Sequence, residues 1–268
     1  MKYLTLLISY FLIKLIIPPI EGLYINSGFV KQNYKGDLIP SSMGIIFVFD
    51  ILIVSLILLK IESKANYIQI LTFMLGVLTM AFIGLIDDFL GRDDVKGFKG
   101  HIKMLINSRL TTGGLKAVFG GLVSVLISLI VSSNTVNFLI NLIIISLFTN
   151  FINLLDLRPG RALKGFLILS IPALFFVSSI IELILLSFIG AALAYLPYDI
   201  KGKSMLGDIG SNSLGIILGI IGTTFPLNIK AIIAIFLILA NLYSENYSIS
   251  KLISSNKILS FIDDLGRG

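Results

Sequence analysis

Long apolar runs separated by short polar segments extend along the whole chain. Each run lasts about 15 to 20 residues, which is close to the length that an α-helix needs to cross a bilayer. The runs are continuous, whereas membrane β-strands alternate apolar and polar positions. The pattern therefore predicts nine membrane helices, at residues 3–18, 41–59, 67–86, 114–131, 137–152, 165–181, 183–197, 212–225 and 229–243. We expect the first helix to end at Pro18 and Pro19, because proline cannot donate a backbone hydrogen bond.

Composition supports an all-α polytopic integral membrane protein. Hydrophobic residues make up 56% of the 268 residues and charged residues 13%, whereas soluble domains contain about 25% charged residues. Helices satisfy their own backbone groups in lipid, so we expect a helical bundle of about nine transmembrane helices. No repeat or long linker interrupts the pattern, which predicts a single domain over residues 1–268.

Cysteine and histidine usage excludes several kinds of site. The chain contains no cysteine, so disulfides and thiolate chemistry are excluded. His101 is the sole histidine, which excludes a metal site built from several histidines. The net charge of +6 suits anionic partners such as phosphates and lipid headgroups, although membrane topology alone also produces such a balance.

Lysine and arginine are distributed unevenly between the two sets of connections. Most of them fall in one set, and an excess of positive charge marks the cytoplasmic side. The N-terminus is therefore expected outside and the C-terminus in the cytoplasm, in a multi-pass protein of the cell membrane. The opposite set holds only Lys2, Lys60, Lys64 and Lys230.

Three acidic motifs lie at ends of predicted spans. Residues 84–88 read Gly-Leu-Ile-Asp-Asp, residues 150–156 read Asn-Phe-Ile-Asn-Leu-Leu-Asp, and residues 207–211 read Gly-Asp-Ile-Gly-Ser. The predicted orientation puts all three at the cytoplasmic face, where ionised acids avoid the large penalty of hydrocarbon. The motifs therefore predict one acidic cluster against the bilayer.

Each motif supports more than one role. Asp87 and Asp88 are candidates for a general base or for metal ligands, or they are solvated residues at a helix end. Asp208 lies between two glycines before a helix, where backbone N–H groups favour phosphate, so it is either a Mg²⁺ ligand or a turn residue. Asn153 and Asp156 are about one helical turn apart and can face one cavity.

A basic run follows Asp156. Arg158, Arg161 and Lys164 are spaced three residues apart, so a helix resuming there would put the last two on one face. One guanidinium group can bind two phosphate oxygens at the same time. We interpret these three cations, with Arg161 and Lys164 on one face, as a diphosphate clamp, and the alternative is a topology signal that needs only charge.

In this order, the three motifs resemble the signatures of the polyprenyl-phosphate N-acetylhexosamine-1-phosphate transferases, the family of phospho-N-acetylmuramoyl-pentapeptide transferase. The resemblance covers most of the chain. Further matches are Lys35-Gly36 with Pro40 and Gly44, and Gly97 with Lys103, which stands where the family places a phosphate-binding lysine.

The resemblance implies a Mg²⁺-dependent membrane glycosyltransferase of cell-envelope or peptidoglycan synthesis. Such an enzyme transfers a sugar 1-phosphate from a UDP-sugar to a polyprenyl phosphate at the cytoplasmic face and releases UMP. Asp87, Asp88 and Asp208 would be catalytic, with the first two orienting or deprotonating the lipid phosphate. The metal ligands would be Asp208 and Asp156. The candidate substrate-binding residues are Asn153, Asp156, Lys103, Arg158, Arg161, Gly207 and Ser211.

The chain departs from the family pattern at three points. Pro159 stands where the family has a second acid that helps to read uracil, and Met205 stands where an aromatic residue usually stacks on uracil. The family's histidine cluster in the last cytoplasmic loop has no counterpart.

Two other functions remain as alternatives. A non-catalytic relative would bind a polyprenyl phosphate or a membrane partner without turnover. A cation-coupled transporter is disfavoured, because the acids lie at span ends and no inverted repeat is visible. Expected partners are the lipid, the nucleotide sugar and the bilayer, without nucleic acid, and a homodimer is left open.

Overall fold

The computed structural model describes residues 2–91, 104 and 111–267. Within these ranges the chain is mostly helical, with one small antiparallel hairpin that pairs Val30 with Pro40. A 3₁₀ turn, Lys64–Asn66, precedes the third helix. The elements are α1 (Lys2–Asn26), β1 (Val30–Gln32), β2 (Leu38–Pro40), α2 (Ile45–Ile61), α3 (Tyr67–Leu90), α4 (Thr112–Val131), α5 (Thr135–Leu155), α6 (Arg161–Ala173), α7 (Ser179–Ile200), α8 (Gly207–Gly222), α9 (Leu227–Asn246), α10 (Ile249–Ser255) and α11 (Lys257–Asp264).

Among the described helices, six are long and apolar enough to cross a membrane, namely α1, α3, α4, α5, α7 and α9. They confirm the prediction of an all-α membrane bundle. Helices α2, α6 and α8 have 17, 13 and 16 residues, fewer than the roughly 20 that a perpendicular crossing requires. Nine crossings and the orientation of the termini therefore stay predictions.

Helix α8 lies at the centre of the bundle. Every residue from Ile209 to Gly222 is buried, and the helix packs against α3, α5, α6 and α2. Elsewhere, α1 packs along α7 and α9 packs along α5. Because protein surrounds α8, its short length does not have to match the thickness of the hydrocarbon layer.

Glycines set the distance between α8 and its neighbours. A Cβ added to Gly84 of α3 would lie 2.5 Å from the carbonyl of Asp208, and one added to Gly215 would lie 2.6 Å from Cα of Thr149 in α5. Small residues allow membrane helices to approach this closely. The close approach at Gly84 brings the end of α3, with its two acids, beside the start of α8.

We expect Gly84→Ala to lower the thermal midpoint of the purified protein. Alanine favours the helix by about 1 kcal/mol relative to glycine, but overpacking typically costs about 1 to 3 kcal/mol. Gly121→Ala is the matched control, because a Cβ there meets nothing within 4 Å. Equal thermal midpoints in the two variants would contradict this account of α3 and α8.

The expected end of the first helix at Pro18 and Pro19 is wrong. Helix α1 continues to Asn26, and Ile17 and Ile20 on either side of the prolines are buried. Proline removes its own backbone donor, but in membrane helices neighbouring helices compensate for the loss. Packing on both sides of the prolines therefore outweighs the local break.

The predicted span at residues 165–181 is also wrong. Helix α6 ends at Ala173, one residue after Pro172, and α7 begins at Ser179. The turn between them contains Phe175 and Phe176, which are exposed. Because these residues are apolar, the hydrophobic run in the sequence continues through the turn, so hydropathy alone does not indicate that the helix ends there.

A buried ion pair joins the C-terminal helices to α6. Arg161 donates from Nε and Nη2 to the two carboxylate oxygens of Asp263, both at 2.8 Å, and from Nη1 to the hydroxyl of Ser250 at 2.8 Å. Arg267 also donates to the Asp263 carboxylate through two nitrogens. Lys164 donates to the backbone carbonyl of Asp263 at 2.6 Å. Arg161 and Asp263 are 4% and 5% exposed, so these charges hold α10 and α11 against α6.

We expect Asp263→Asn to release α10 and α11, because removing one partner of a buried ion pair costs about 3 to 5 kcal/mol. Burial alone would raise the pKa of Asp263, but the hydrogen bonds and charges of Arg161 and Arg267 outweigh it and hold the pKa well below its usual range. Its stabilisation is therefore complete above the unfolded pKa of about 3.9 and is lost as the pH falls further.

Hydrogen exchange of residues 249–264 at neutral pH and at low pH measures this effect. Asp263→Asn should exchange faster at neutral pH and lose the acid-dependent step. Asp264→Asn is the matched control, because that carboxylate is mostly exposed. Equal exchange in both variants would contradict the assigned role of the ion pair.

Candidate active site

Asp88 joins the end of α3 to the start of α8. One carboxylate oxygen accepts from the backbone N–H of Asp208 at 3.1 Å, and the other accepts from the N–H of Ile209 at 3.3 Å and from the Ser42 hydroxyl at 2.7 Å. The first N–H groups of a helix have no partner within the helix, and a carboxylate there is favoured by the helix dipole. Asp88 therefore caps α8 and positions Asp208.

Asp87 and Asp208 lie beside a partly buried lysine. The ammonium of Lys116, in α4, is 2.6 Å from Oδ2 of Asp208. The Asp87 carboxylate is within hydrogen-bonding reach of the Asp208 carboxylate and of Thr112. Two carboxylates this close disfavour simultaneous ionisation unless a proton or a cation lies between them. Lys116 neutralises one of the two charges.

Asn153 completes the cluster from α5. In the amide orientation that pairs every donor with an acceptor, its oxygen accepts from Lys116 at 2.7 Å. Its nitrogen donates to Oδ1 of Asp208 at 2.9 Å and to the hydroxyl of Ser211 at 2.8 Å. Four helices, α3, α4, α5 and α8, thus contribute to one polar cluster at one end of the bundle.

The donor set fits Mg²⁺. This ion binds through one or two carboxylates and completes its octahedron with water and substrate phosphates. Asp87 and Asp208 provide two neighbouring carboxylates. Each Asp208 oxygen accepts one hydrogen bond, from Lys116 or Asn153, and keeps a second lone pair, whereas the Asp88 carboxylate accepts three. No group of three or more acidic or histidine residues among the described residues forms a complete metal cage. The arrangement thus suits an ion held jointly by protein and phosphate.

A cavity of about 290 Å³ opens beside Asp208. Its walls come from the start of α8, the turn after α5, the end of α7 with the following loop, and the turn of the hairpin. Asp156 and Arg158 line it from the turn after α5. Burial, followed by the charges of Asp199 and Asp208, raises the pKa of Asp156. The acidic wall therefore favours a proton or a bound cation.

A family model described as "Glycosyl transferase family 4" matches residues 70–225, which is more than half of the chain and runs from α3 to just beyond α8. The chain belongs to this family. The matched region contains the whole cluster of Asp87, Asp88, Lys116, Asn153 and Asp208.

Several curated proteins that share one name are similar to this chain over most of their length. A phospho-N-acetylmuramoyl-pentapeptide-transferase from Staphylococcus haemolyticus is 27% identical over 237 residues, covering 79% of this chain and 71% of the relative. Enzymes of the same name from Staphylococcus aureus are 26% identical with the same coverage. This agreement confirms the family resemblance seen in the motifs and marks the chain as a divergent member.

Most of the predicted site residues of this family 4 member come together. The polar cluster unites Asp87, Asp88, Asp208, Asn153 and Ser211. Gly207 stands at the junction with a φ of +73°, and a Cβ there would lie 2.6 Å from a carboxylate oxygen of Asp88. Asp156 and Arg158 face the adjoining cavity.

Two predicted residues stand apart from this group. Arg161 is buried in its ion pair with Asp263, so its guanidinium is occupied within the protein and does not line the cavity. Lys164 likewise donates to the carbonyls of Ile262 and Asp263. The structure therefore provides no diphosphate clamp formed by Arg158, Arg161 and Lys164 together. Lys103, predicted to bind phosphate, lies outside the described residues.

The sequence reasoning missed Lys116, Ser42 and Asp199. Lys116 left a signal, because an isolated cation at the edge of an apolar run marks a functional site in membrane proteins. Asp199 lies near the end of α7, as the other acids lie near span ends, and it accepts from the N–H of Gly160 at 2.8 Å. Ser42 gave no comparable signal, because its role depends on a contact with Asp88 far along the chain.

Proposed function

We propose that this membrane protein transfers a sugar 1-phosphate from a nucleoside diphosphate sugar, with a UDP-sugar as the expected donor, to a polyprenyl phosphate at the cytoplasmic face. The observation that carries the proposal is the cluster of Asp87, Asp208, Lys116 and Asn153. Through Asp208, this cluster adjoins a cavity at the bundle end. The similarity of the chain to phospho-N-acetylmuramoyl-pentapeptide-transferases also supports the proposal.

The proposed reaction is a displacement at phosphorus. An oxygen of the lipid phosphate forms a bond to the β-phosphorus of the donor, and the bond from that phosphorus to the bridging oxygen breaks. The nucleoside monophosphate leaves with the bridging oxygen, and the sugar keeps its bond to the transferred phosphorus. Such reactions depend on positioning and charge neutralisation more than on covalent chemistry.

Mg²⁺, held by Asp208 with Asp87 or Asp156, would supply charge neutralisation between the two phosphates. Asp87 is placed to accept a proton from the lipid phosphate, because both oxygens of Asp88 are occupied by protein donors. Asp88 positions Asp208 by capping α8.

The cationic side chains have separate tasks. Lys116 holds Asp208 and Asn153 in register, and its charge draws the anionic substrates toward the cluster. Lys31, whose ammonium lies 3.3 Å from the carbonyl of Asp88, adds charge on the hairpin side. Arg158 is half exposed on the cavity wall, within reach of a donor phosphate.

The proposal is tested by incubating the purified chain in nanodiscs with a polyprenyl phosphate, Mg²⁺ and a panel of nucleoside diphosphate sugars. Mass spectrometry should find the lipid heavier by one sugar 1-phosphate, with an equal amount of nucleoside monophosphate released. Binding of the lipid without product from any donor would instead favour the non-catalytic alternative.

The proposed sidedness predicts that Lys203→Cys reacts only with thiol reagents that reach the cytoplasm, whereas Ser133→Cys reacts from outside. Both positions are exposed, and the chain has no other cysteine to give background. Labelling is measured in intact cells and in lysed cells. External labelling of Lys203→Cys would put the cavity on the opposite face and refute the cytoplasmic reaction.

A further inference from the structure

The cavity beside Asp208 has an aromatic side chain on its wall. Among the described residues that line it, Tyr34 is the one with an aromatic ring. Tyr34 belongs to the turn between β1 and β2 and is 65% exposed. A large ring surface is therefore uncovered on a cavity that Asp208 also lines.

The turn that carries Tyr34 is held in place. The amide nitrogen of Asn33 donates to the carbonyl of Gly202 at 3.1 Å, and its oxygen accepts from the backbone N–H groups of Lys35 and Asp37. A Cβ on Gly202 would lie 3.2 Å from Cε1 of Tyr34, so the ring edge rests on this glycine. The ammonium of Lys35 lies 5.4 Å from the ring centroid. The ring is thus pre-positioned, which reduces the entropy that binding would cost.

The size and chemistry of the cavity suit a nucleoside. Its volume of about 290 Å³ is near the lower end of small-ligand pockets. Pro159 and Met205 add apolar surface, whereas Asp156 and Asp199 add hydrogen-bond acceptors. A flat base with polar edges needs such a combination, and aromatic rings stack on every base.

We propose that Tyr34 stacks on the base of the nucleotide donor, while the donor's phosphates extend toward Asp208. The inference rests on the proposed function. It assigns to the hairpin the recognition of the base, separate from the acids that hold metal and phosphate. Tyr34 is then a substrate-binding residue that acts on the affinity of the donor.

The test compares Tyr34→Ala, Tyr34→Leu and Tyr34→Phe in the purified full-length chain with Mg²⁺. The probes are nucleoside monophosphates with each base, and ribose 5-phosphate, which has no base. Alanine and leucine should weaken the preferred nucleotide about tenfold, equivalent to roughly 1.4 kcal/mol, and leave ribose 5-phosphate unchanged. Phenylalanine should retain the wild-type affinity. Tyr247→Ala is the matched control, because Tyr247 is also 65% exposed but does not line the cavity.

Equal binding by Tyr34→Ala and wild type would overturn the inference, as would an equal loss for ribose 5-phosphate. Wild-type protein that binds ribose 5-phosphate as tightly as every nucleotide would also overturn it. The transfer assay with wild-type protein separates the two proposals. If the wild-type protein catalyses transfer and Tyr34→Ala binds nucleotides as well as wild type does, the proposed function stands and the stacking role of Tyr34 is refuted. If the wild-type protein shows neither transfer nor nucleotide binding, the proposed function and the stacking role are both refuted.

Discussion

Asp208→Asn is expected to lower the turnover number for sugar 1-phosphate transfer by about a hundredfold to a thousandfold, the loss typical when one group that stabilises developing charge is removed. The variant should keep its fold. Asparagine matches aspartate in shape, and its oxygen can still accept from Lys116, which contacts Asp208 at 2.6 Å. Its nitrogen would face the Asn153 amide, which can turn over to present its oxygen, whereas backbone donors such as those on Asp88 cannot turn. Losing a negative charge beside Asp87 and Asp88 also removes repulsion.

Activity of this variant is measured together with the thermal midpoint and the dependence on Mg²⁺. We expect an unchanged midpoint and a much higher Mg²⁺ requirement for residual turnover. Asp264→Asn serves as the control, because Asp264 is exposed and its contacts are with Ser260 and Arg267, which lie outside the cluster. An unchanged Mg²⁺ requirement in Asp208→Asn would remove Asp208 from the metal site.

Asp88→Asn is expected to damage both stability and turnover. The Asp88 carboxylate accepts from two backbone N–H groups and from Ser42. An amide has one oxygen acceptor, so its nitrogen would face at least one donor of the protein. Each hydrogen bond to a charged group contributes about 1.5 to 3 kcal/mol, so the loss should lower the thermal midpoint measurably.

The contrast between the two asparagine variants is the informative result. Asp208→Asn should lose turnover while its midpoint is retained, whereas Asp88→Asn should lose both. Hydrogen exchange at the backbone N–H groups of Asp208 and Ile209 should increase in Asp88→Asn alone. A wild-type midpoint in Asp88→Asn would contradict its assignment as the cap of α8.

Much of the fold and the composition of the site could be predicted from the sequence. Continuous apolar runs identified the membrane helices, and acids at run ends identified Asp87, Asp88, Asp156 and Asp208 as a group. Both inferences depend on the free energy required to place polar groups in lipid. This penalty applies to each residue whatever its distant partners are, so it can be assessed from the sequence alone.

The separate roles of adjacent acids could not be predicted in this way. Successive residues on a helix point about 100° apart, so Asp87 and Asp88 must face different neighbours. Which of them caps the start of α8 depends on how α3 is rotated in the bundle, and that rotation follows from close packing at Gly84.

Long-range partners account for the remaining differences. Arg161 has the spacing of a phosphate clamp, but its partner Asp263 lies 102 residues later in the chain. Tyr34 and Asp208 line one cavity although they are far apart in sequence. Local periodicity contains no information about such contacts.

The central claim is that the bond between the two phosphates of the donor is the one that breaks. It is tested by giving the purified protein a UDP-sugar, or another active donor from the panel, labelled separately in its α- or β-phosphate. Transfer of a sugar 1-phosphate predicts that the β-label appears in the lipid and the α-label in the released nucleoside monophosphate. Recovery of both labels in a nucleoside diphosphate would mean that the sugar alone is transferred, and would contradict the proposed reaction.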